Sequence, residues 1–161
     1  MKDDVQFVEA IRRIDAANAE DPRTDLVDGT PQPRELLFAR RVYDWVRRFV
    51  ADPSEELLLA ARAHTLRRWM IPRNRYPMTT AGYHQWRGTL AAFHADEAAR
   101  ILEEVGYSER TIARVRALIT RENWRNDPMA GPWRTRIVSS FSKPSSMATL
   151  MSGTRRRPYT S

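Results

Sequence analysis

The sequence predicts an all-α fold, a single helical bundle of about five helices followed by a disordered basic C-terminal tail. Three observations carry this expectation. Apolar residues recur at helical spacing through most of the first 128 positions. Pro, Gly, Ser and Asp interrupt the pattern where helices begin and end. Beyond Met129 the periodicity is lost.

The first helix is read from Val5, Val8, Ile11 and Ile14, with Phe7 alongside, and ends near Asn18 ahead of Asp21-Pro22. Leu26 to Pro33 carries Gly29, Pro31 and Pro33 and reads as a loop. Glu35 to Val50 forms the second helix, with Leu37, Phe38, Val42, Trp45, Val46 and Phe49 at helical spacing. Asp52 or Ser54 caps the third, whose first turn holds Glu55 and Glu56 where the helix dipole favours acids. It is expected to run to about Met70, before Pro72. Residues 71–78 form an irregular connection between prolines. A fourth helix runs from Thr79 or Thr80 to Val105 and stops at Gly106. Ser108 caps a fifth, with Ile112, Val115, Leu118 and Ile119 on one face. No strand and no internal repeat is expected.

Bulk composition excludes several classes. A chain of 161 residues has room for one domain with a core. Cysteine is absent, so disulfides and thiolate metal sites are excluded. The N-terminus is acidic and lacks the apolar run of a signal peptide. No stretch approaches the ~18 apolar residues of a membrane span. A cytoplasmic protein without a membrane partner is the default expectation.

The net charge of +7 suggests nucleic acid until it is divided. Residues 1–128 hold 21 Lys/Arg against all 20 Asp/Glu, whereas residues 129–161 hold six bases and no acid. The body is nearly neutral, so its charge does not indicate a nucleic-acid partner.

The tail is also rich in serine, with seven in residues 129–161 against two in residues 1–128. Composition makes it a disordered segment. The genetic code permits a sharper reading. Back-translating Pro132 through Gly153, and reading from each third codon base, allows the peptide LEDAD(R/C)LVFLEAEFDGYADV. That string is acidic and amphipathic, and the third base of Trp133 forces the G that opens its glutamate codon. The expectation is a frameshift-derived tail at 129–161, after a helical domain at 1–128 that lacks its last helices.

Chemistry concentrates between His64 and Glu97. On a continuous third helix His64 and Arg68 would share a face. On the fourth, His94 and Glu97 lie three apart, and Arg87 lies two turns before His94. Two histidines on two helices, with nearby carboxylates and arginines, suit a metal-plus-phosphate site. Arginine's planar fork grips phosphate in a way lysine does not, and the body's only lysine is Lys2. Blander readings stand beside this one. Helical histidines are commonly structural, and Trp69, Tyr83 and Trp86 at helical spacing suit a core. Arginines also pair with acids or lie over apolar surface. A GC-rich coding sequence favours arginine over lysine for no functional reason.

The segments Ile14-Asp15-Ala-Ala-Asn18-Ala-Glu20-Asp21-Pro22, Glu35-Leu36-Leu37-Phe38, Ala60-Ala61-Arg62-Ala63, Arg68-Trp69-Met70-Ile71-Pro72-Arg73, Tyr76-Pro77, Gly82-Tyr83-His84-Gln85-Trp86-Arg87, Phe93-His94-Ala95-Asp96-Glu97 and Gly106-Tyr107 resemble domain of unknown function 4202. The resemblance covers roughly residues 5–128. It implies an acidic LEDxxCLVFLE helix shortly after an Asp-Pro pair. Asp127-Pro128 stands here, and the out-of-frame peptide supplies that helix. The chain is more distantly similar to the HD superfamily of metal-dependent phosphohydrolases. That similarity implies an HD-like bundle with a helix histidine, a His-Asp pair and a final aspartate. His64 and His94 follow the order, but Ala95 stands where the pair has aspartate, and the final aspartate exists only out of frame.

The expected site therefore has His64 and His94 as ligands of a divalent metal, Asp96 and Glu97 as catalytic carboxylates, and Arg68, Arg73, Tyr76 and Arg87 as the grip on substrate. The substrate expected is a small phosphorylated molecule, a phosphate ester or nucleotide, hydrolysed by metal-activated water. The alternative expectation is a non-catalytic module that binds a nucleotide, RNA or protein.

Overall fold

A computed structural model describes residues 2–121, and these form a helical bundle with one small hairpin. In chain order the elements are α1 (Lys2–Asn18), β1 (Thr24–Val27), β2 (Thr30–Pro33), α2 (Arg34–Phe49), α3 (Glu55–Ala63), α4 (Thr80–Val105) and α5 (Glu109–Thr120). Two 3-10 turns, Arg68–Met70 and Arg73–Arg75, lie between α3 and α4. All of this belongs to one compact unit, Met1–Asn123. The tail at 129–161, its boundary at residue 128 and its second reading frame lie outside the described residues.

Helix α3 is the hub, touching α1, α2, α4 and α5. Its sequence allows this. Leu57, Leu59, Ala60, Ala61 and Ala63 are all buried, and small residues on several faces let neighbouring helices approach closely. Ser54 accepts the Leu57 N–H at 3.2 Å and caps the first turn, as the sequence indicated. Helices α4 and α5 pack side by side beyond Gly106, whose φ of 92° provides the left-handed C-terminal stop.

The apolar stripe of α1 differs from the expectation. Val5 and Val8 are exposed, and the core face is Ala10, Ile14 and Ala17. Val5 lies nine residues before Ile14, about two and a half turns, and so sits on the opposite side of the helix. Repeated steps of three drift steadily off one face, whereas steps of four and three hold it.

The segment read as a loop is a hairpin. Asp28 and Gly29 take φ values of 50° and 78°, the two positive angles of a type I′ turn, and Asp-Gly is a strong hairpin signal. Pro31 and Pro33 argued against a strand. They are tolerated because each strand of a two-stranded sheet has an open edge needing no N–H donor.

The hairpin also places the start of α2. Pro33, at its N-cap, offers no side-chain cap. Asp21 substitutes from the other end of the hairpin, accepting the Glu35 N–H at 3.0 Å. Arg23 holds that carboxylate through its own N–H and its guanidinium.

The third helix is the main correction. It ends at Ala63 rather than near Met70. His64 is its C-cap, and Arg67 adopts the left-handed conformation at φ 55°. That strained residue is pinned from three sides. Asn18, fully buried, accepts its N–H, while Glu20 and Glu97 pair with its guanidinium at 2.8 and 3.3 Å. Contacts with α1 and α4 override a local pattern that would have continued the helix.

The connection after α3 is tied to the start of α4. Trp86 Nε1 donates to the Ile71 carbonyl at 2.9 Å. A Cβ on Gly82 would lie 2.1 Å from the Pro77 carbonyl oxygen, so only glycine fits where these backbones meet.

Candidate functional site

The end of α3, the turn after it, α4 and the end of α5 bring two imidazoles and three guanidiniums together. His64 is half-buried at the C-cap of α3, its Nδ1 3.0 Å from the Ala61 carbonyl oxygen. His94 is buried in the middle of α4, its Nδ1 2.7 Å from the Leu66 carbonyl oxygen. A carbonyl only accepts, so Nδ1 carries the hydrogen in both rings and Nε2 is the lone-pair nitrogen of the neutral form.

Both rings are held neutral. Burial pushes His64 down to about 4, against the Ala61 hydrogen bond, with the charges of Arg121, Arg68 and Arg87 adding to the effect. Burial pushes His94 down to about 3, against the Leu66 hydrogen bond and assisted by His64, Arg68 and Arg87. The two histidines are therefore within electrostatic reach of each other and of the same arginines.

Arg68 reaches the cluster by a route the sequence did not indicate. The left-handed turn at Arg67 swings it over the Trp86 ring, 5.3 Å from the centroid. Burial lowers its pKa, the Glu35 carboxylate opposes that shift, and Arg87 and Arg23 add to it. Arg87 stands two turns before His94 on α4, as expected, and its charge bears on both imidazoles. Arg121, the left-handed residue closing α5, completes the group. Its pKa is lowered by burial and by Arg87, while Tyr83 opposes. Among the described residues, no carboxylate lies within ion-pair distance of Arg68, Arg87 or Arg121. Only Glu35, further off, offsets one of them.

Other expected site residues are engaged elsewhere. Asp96 is exposed and pairs with Arg116 at 2.7 Å. Glu97 pairs with Arg67 at 3.3 Å and Arg100 at 3.1 Å. Arg73 donates to the Tyr76 and Thr79 carbonyls and lies near the Tyr83 and Trp86 rings, which fastens the loop to α4. Tyr76 enters that arrangement through its backbone carbonyl. Arg121 and Glu35 escaped the sequence reading. Arg121 lies 27 residues after His94 and only the packing of α5 on α4 brings it near. Glu35 carried one signal, its place in a family-like segment.

The donor set can be tested against a divalent metal. Two imidazoles with Nδ1–H fixed on carbonyls present Nε2 as metal-binding histidines commonly do. Nothing else fits. Among the described residues, no group of three or more His, Cys, Asp or Glu is placed to hold a metal ion. Three guanidiniums beside two uncharged donors oppose a dication. The described residues do not make a metal centre by themselves.

The molecule is thus a helical bundle whose central and flanking helices carry a cationic cluster around two neutral histidines. It belongs to the family described as Domain of unknown function (DUF4202), whose profile matches residues 8–131. No curated protein and no solved structure matches the chain. Among the described residues, no helix is long and apolar enough to cross a membrane.

Proposed function

We propose that this domain binds a small phosphorylated molecule, a phosphate ester or nucleotide, at the cluster of Arg68, Arg87, Arg121, His64 and His94. The observation that carries this reading is the unmatched charge. Among the described residues, three arginines converge without a carboxylate at ion-pair distance, in a fold where Arg62, Arg67 and Arg23 each have one. Clustered guanidiniums repel each other, and a tetrahedral anion relieves that repulsion while accepting their N–H groups in pairs. The neutral imidazole of His94 adds a lone pair at Nε2 that accepts a hydrogen from a phosphate or sugar hydroxyl. Tyr83, 41% exposed beside the guanidiniums, supplies an aromatic face.

Thermal unfolding of the full chain, with inorganic phosphate, pyrophosphate and adenosine monophosphate, tests this. A ligand at 100 times its Kd stabilises by about 2.7 kcal/mol. At least one of the three should raise Tm, a chelator should not reverse the rise, and Arg68→Ala should abolish it. No shift with any of them removes the proposal.

A second reading, divalent-metal phosphohydrolysis of HD-like type, is favoured by the Nδ1–H tautomers of His64 and His94. It needs a carboxylate from outside the described residues, since Asp96 and Glu97 face other partners. The out-of-frame acidic peptide after Pro132 would provide one. A chain carrying that frame should bind one equivalent of metal and hydrolyse a phosphate ester. If it does neither, the hydrolase reading ends and phosphate binding stands.

A further inference from the structure

Among the described residues, Glu35 is the carboxylate whose charge reaches the cluster through Arg68, and its setting is unusual. The residue is 5% exposed, yet Oε2 has no hydrogen-bond partner. Oε1 accepts from Arg23 Nη2 at 3.0 Å, and the backbone N–H is held by Asp21, so the side chain is anchored at one oxygen only. The groups facing it are Arg23 and Asp21 from the segment between α1 and β1, Thr65 from the turn after α3, and Arg68 from the first 3-10 turn. The Thr65 hydroxyl faces this carboxylate and favours its ionised form, although neither Thr65 Oγ1 nor Glu35 Oε2 has a partner at full hydrogen-bond geometry.

A buried carboxylate with an unsatisfied oxygen is a poor place for a full negative charge. Burial raises its proton affinity, and the Arg68 guanidinium opposes this most, followed by the Thr65 hydroxyl and Arg23. We propose that Glu35 is the counter-ion of the phosphate site and that filling the site drives a proton onto its free oxygen, Oε2. This rests on the cluster being a phosphate site. An incoming dianion draws on Arg68 and adds its own negative field, so Glu35 loses the charge that held its proton off. The proton comes from solvent, no covalent bond to the ligand forms, and the Thr65 hydroxyl provides an acceptor for the new O–H. By linkage, the same coupling makes anion binding tighter as pH falls.

Sulfate is the suitable probe, because it is a tetrahedral dianion that does not itself titrate near neutrality. Calorimetric titration of the full chain with sulfate, in two buffers of different ionisation enthalpy, counts protons taken up on binding. Across about pH 5 to about pH 8 the uptake should approach one proton per sulfate at its maximum, since one carboxyl is involved. Glu35→Gln should bind sulfate with the uptake lost. In the unsubstituted protein an infrared difference spectrum should gain the band of a buried protonated carboxyl, which keeps the proposal open to disproof if Glu35→Gln does not fold. Binding without uptake, uptake that persists in Glu35→Gln, or no carboxyl band overturns it, and persistent uptake assigns the proton to the imidazoles. In each of those cases the phosphate reading survives. Absence of any sulfate or phosphate binding removes both.

Discussion

Arg67 and Arg68 are neighbours in the chain, and they belong to two regions that use arginine in opposite ways. On the α1 side of the turn Arg62, Arg67 and Arg23 each meet an acid. Arg62 grips Asp15 with two hydrogen bonds of 2.7 Å and lies 4.9 Å from the Tyr43 centroid, Arg67 bridges Glu20 and Glu97, and Arg23 spans Asp21 and Glu35. On the α4 side the charges of Arg68 and Arg87 bear on two uncharged imidazoles, and that of Arg121 bears on His64. Matched arginines fix helices to one another. Arg68, Arg87 and Arg121 have no acid at ion-pair distance among the described residues, and on the proposed reading their field is answered by a bound anion. Residue type does not separate these roles, whereas the partner does.

The sharpest way to break the comparison is to cut the matched side. Arg62→Ala leaves a largely buried Asp15 without its main partner and should destabilise the fold by about 3–5 kcal/mol in urea unfolding. The folded fraction should bind phosphate as before. Near-native stability would show that the Arg62–Asp15 pair does not hold α1 to α3.

The second test is acid. His64 and His94 sit at about 4 and about 3 when folded, below the roughly 6.5 of an unfolded histidine. Their contribution is complete above about pH 6.5 and is lost as pH falls, because the unfolded chain takes up protons first. The raised pKa of Glu35 works in the other direction, removing stability as pH rises through its titration. Stability should therefore decline below about pH 6.5 by a few kcal/mol in total, and His64→Asn with His94→Gln should flatten that decline. An unchanged profile in the double variant would mean the rings titrate normally.

Arg87→Ala should weaken phosphate binding by ~10-fold or more while changing stability little, since Arg87 has no ion pair to lose among the described residues. A large stability loss with unchanged affinity would move Arg87 to the matched side. The smallest effect is expected from Asp96→Asn. The Asp96–Arg116 pair is 65% and 42% exposed, so its loss should amount to under about 1 kcal/mol and leave affinity alone. A tenfold loss of affinity would restore Asp96 to the site.

Much of the fold was legible. Ser54, Ser108 and Gly106 marked helix ends because capping is local chemistry, readable within a few residues. The two-turn spacing of Arg87 and His94 was readable because both lie on one uninterrupted helix. The helix expected to align His64 with Arg68 stops at Ala63, so the left-handed turn at Arg67, and not helical spacing, sets where Arg68 lies. Asp96 and Glu97 were assigned by proximity in sequence to His94, and sequence spacing does not reveal that Arg116, Arg67 and Arg100 claim them.

The sequence by itself determined the helical class, most helix boundaries, the family and the neighbourhood in which the polar chemistry would gather. Those properties follow from periodicity and short-range hydrogen bonding, which a linear pattern encodes directly. Only the tertiary structure decided where α3 ends, that Asp21 caps α2, that Glu35 is buried with one oxygen unsatisfied, and which arginines have no acid at ion-pair distance among the described residues. Each of those depends on a partner supplied by a distant element, as Asn18 supplies one to Arg67 across 49 positions. Charge compensation is a property of neighbours in space, and the chain lists neighbours only along its length.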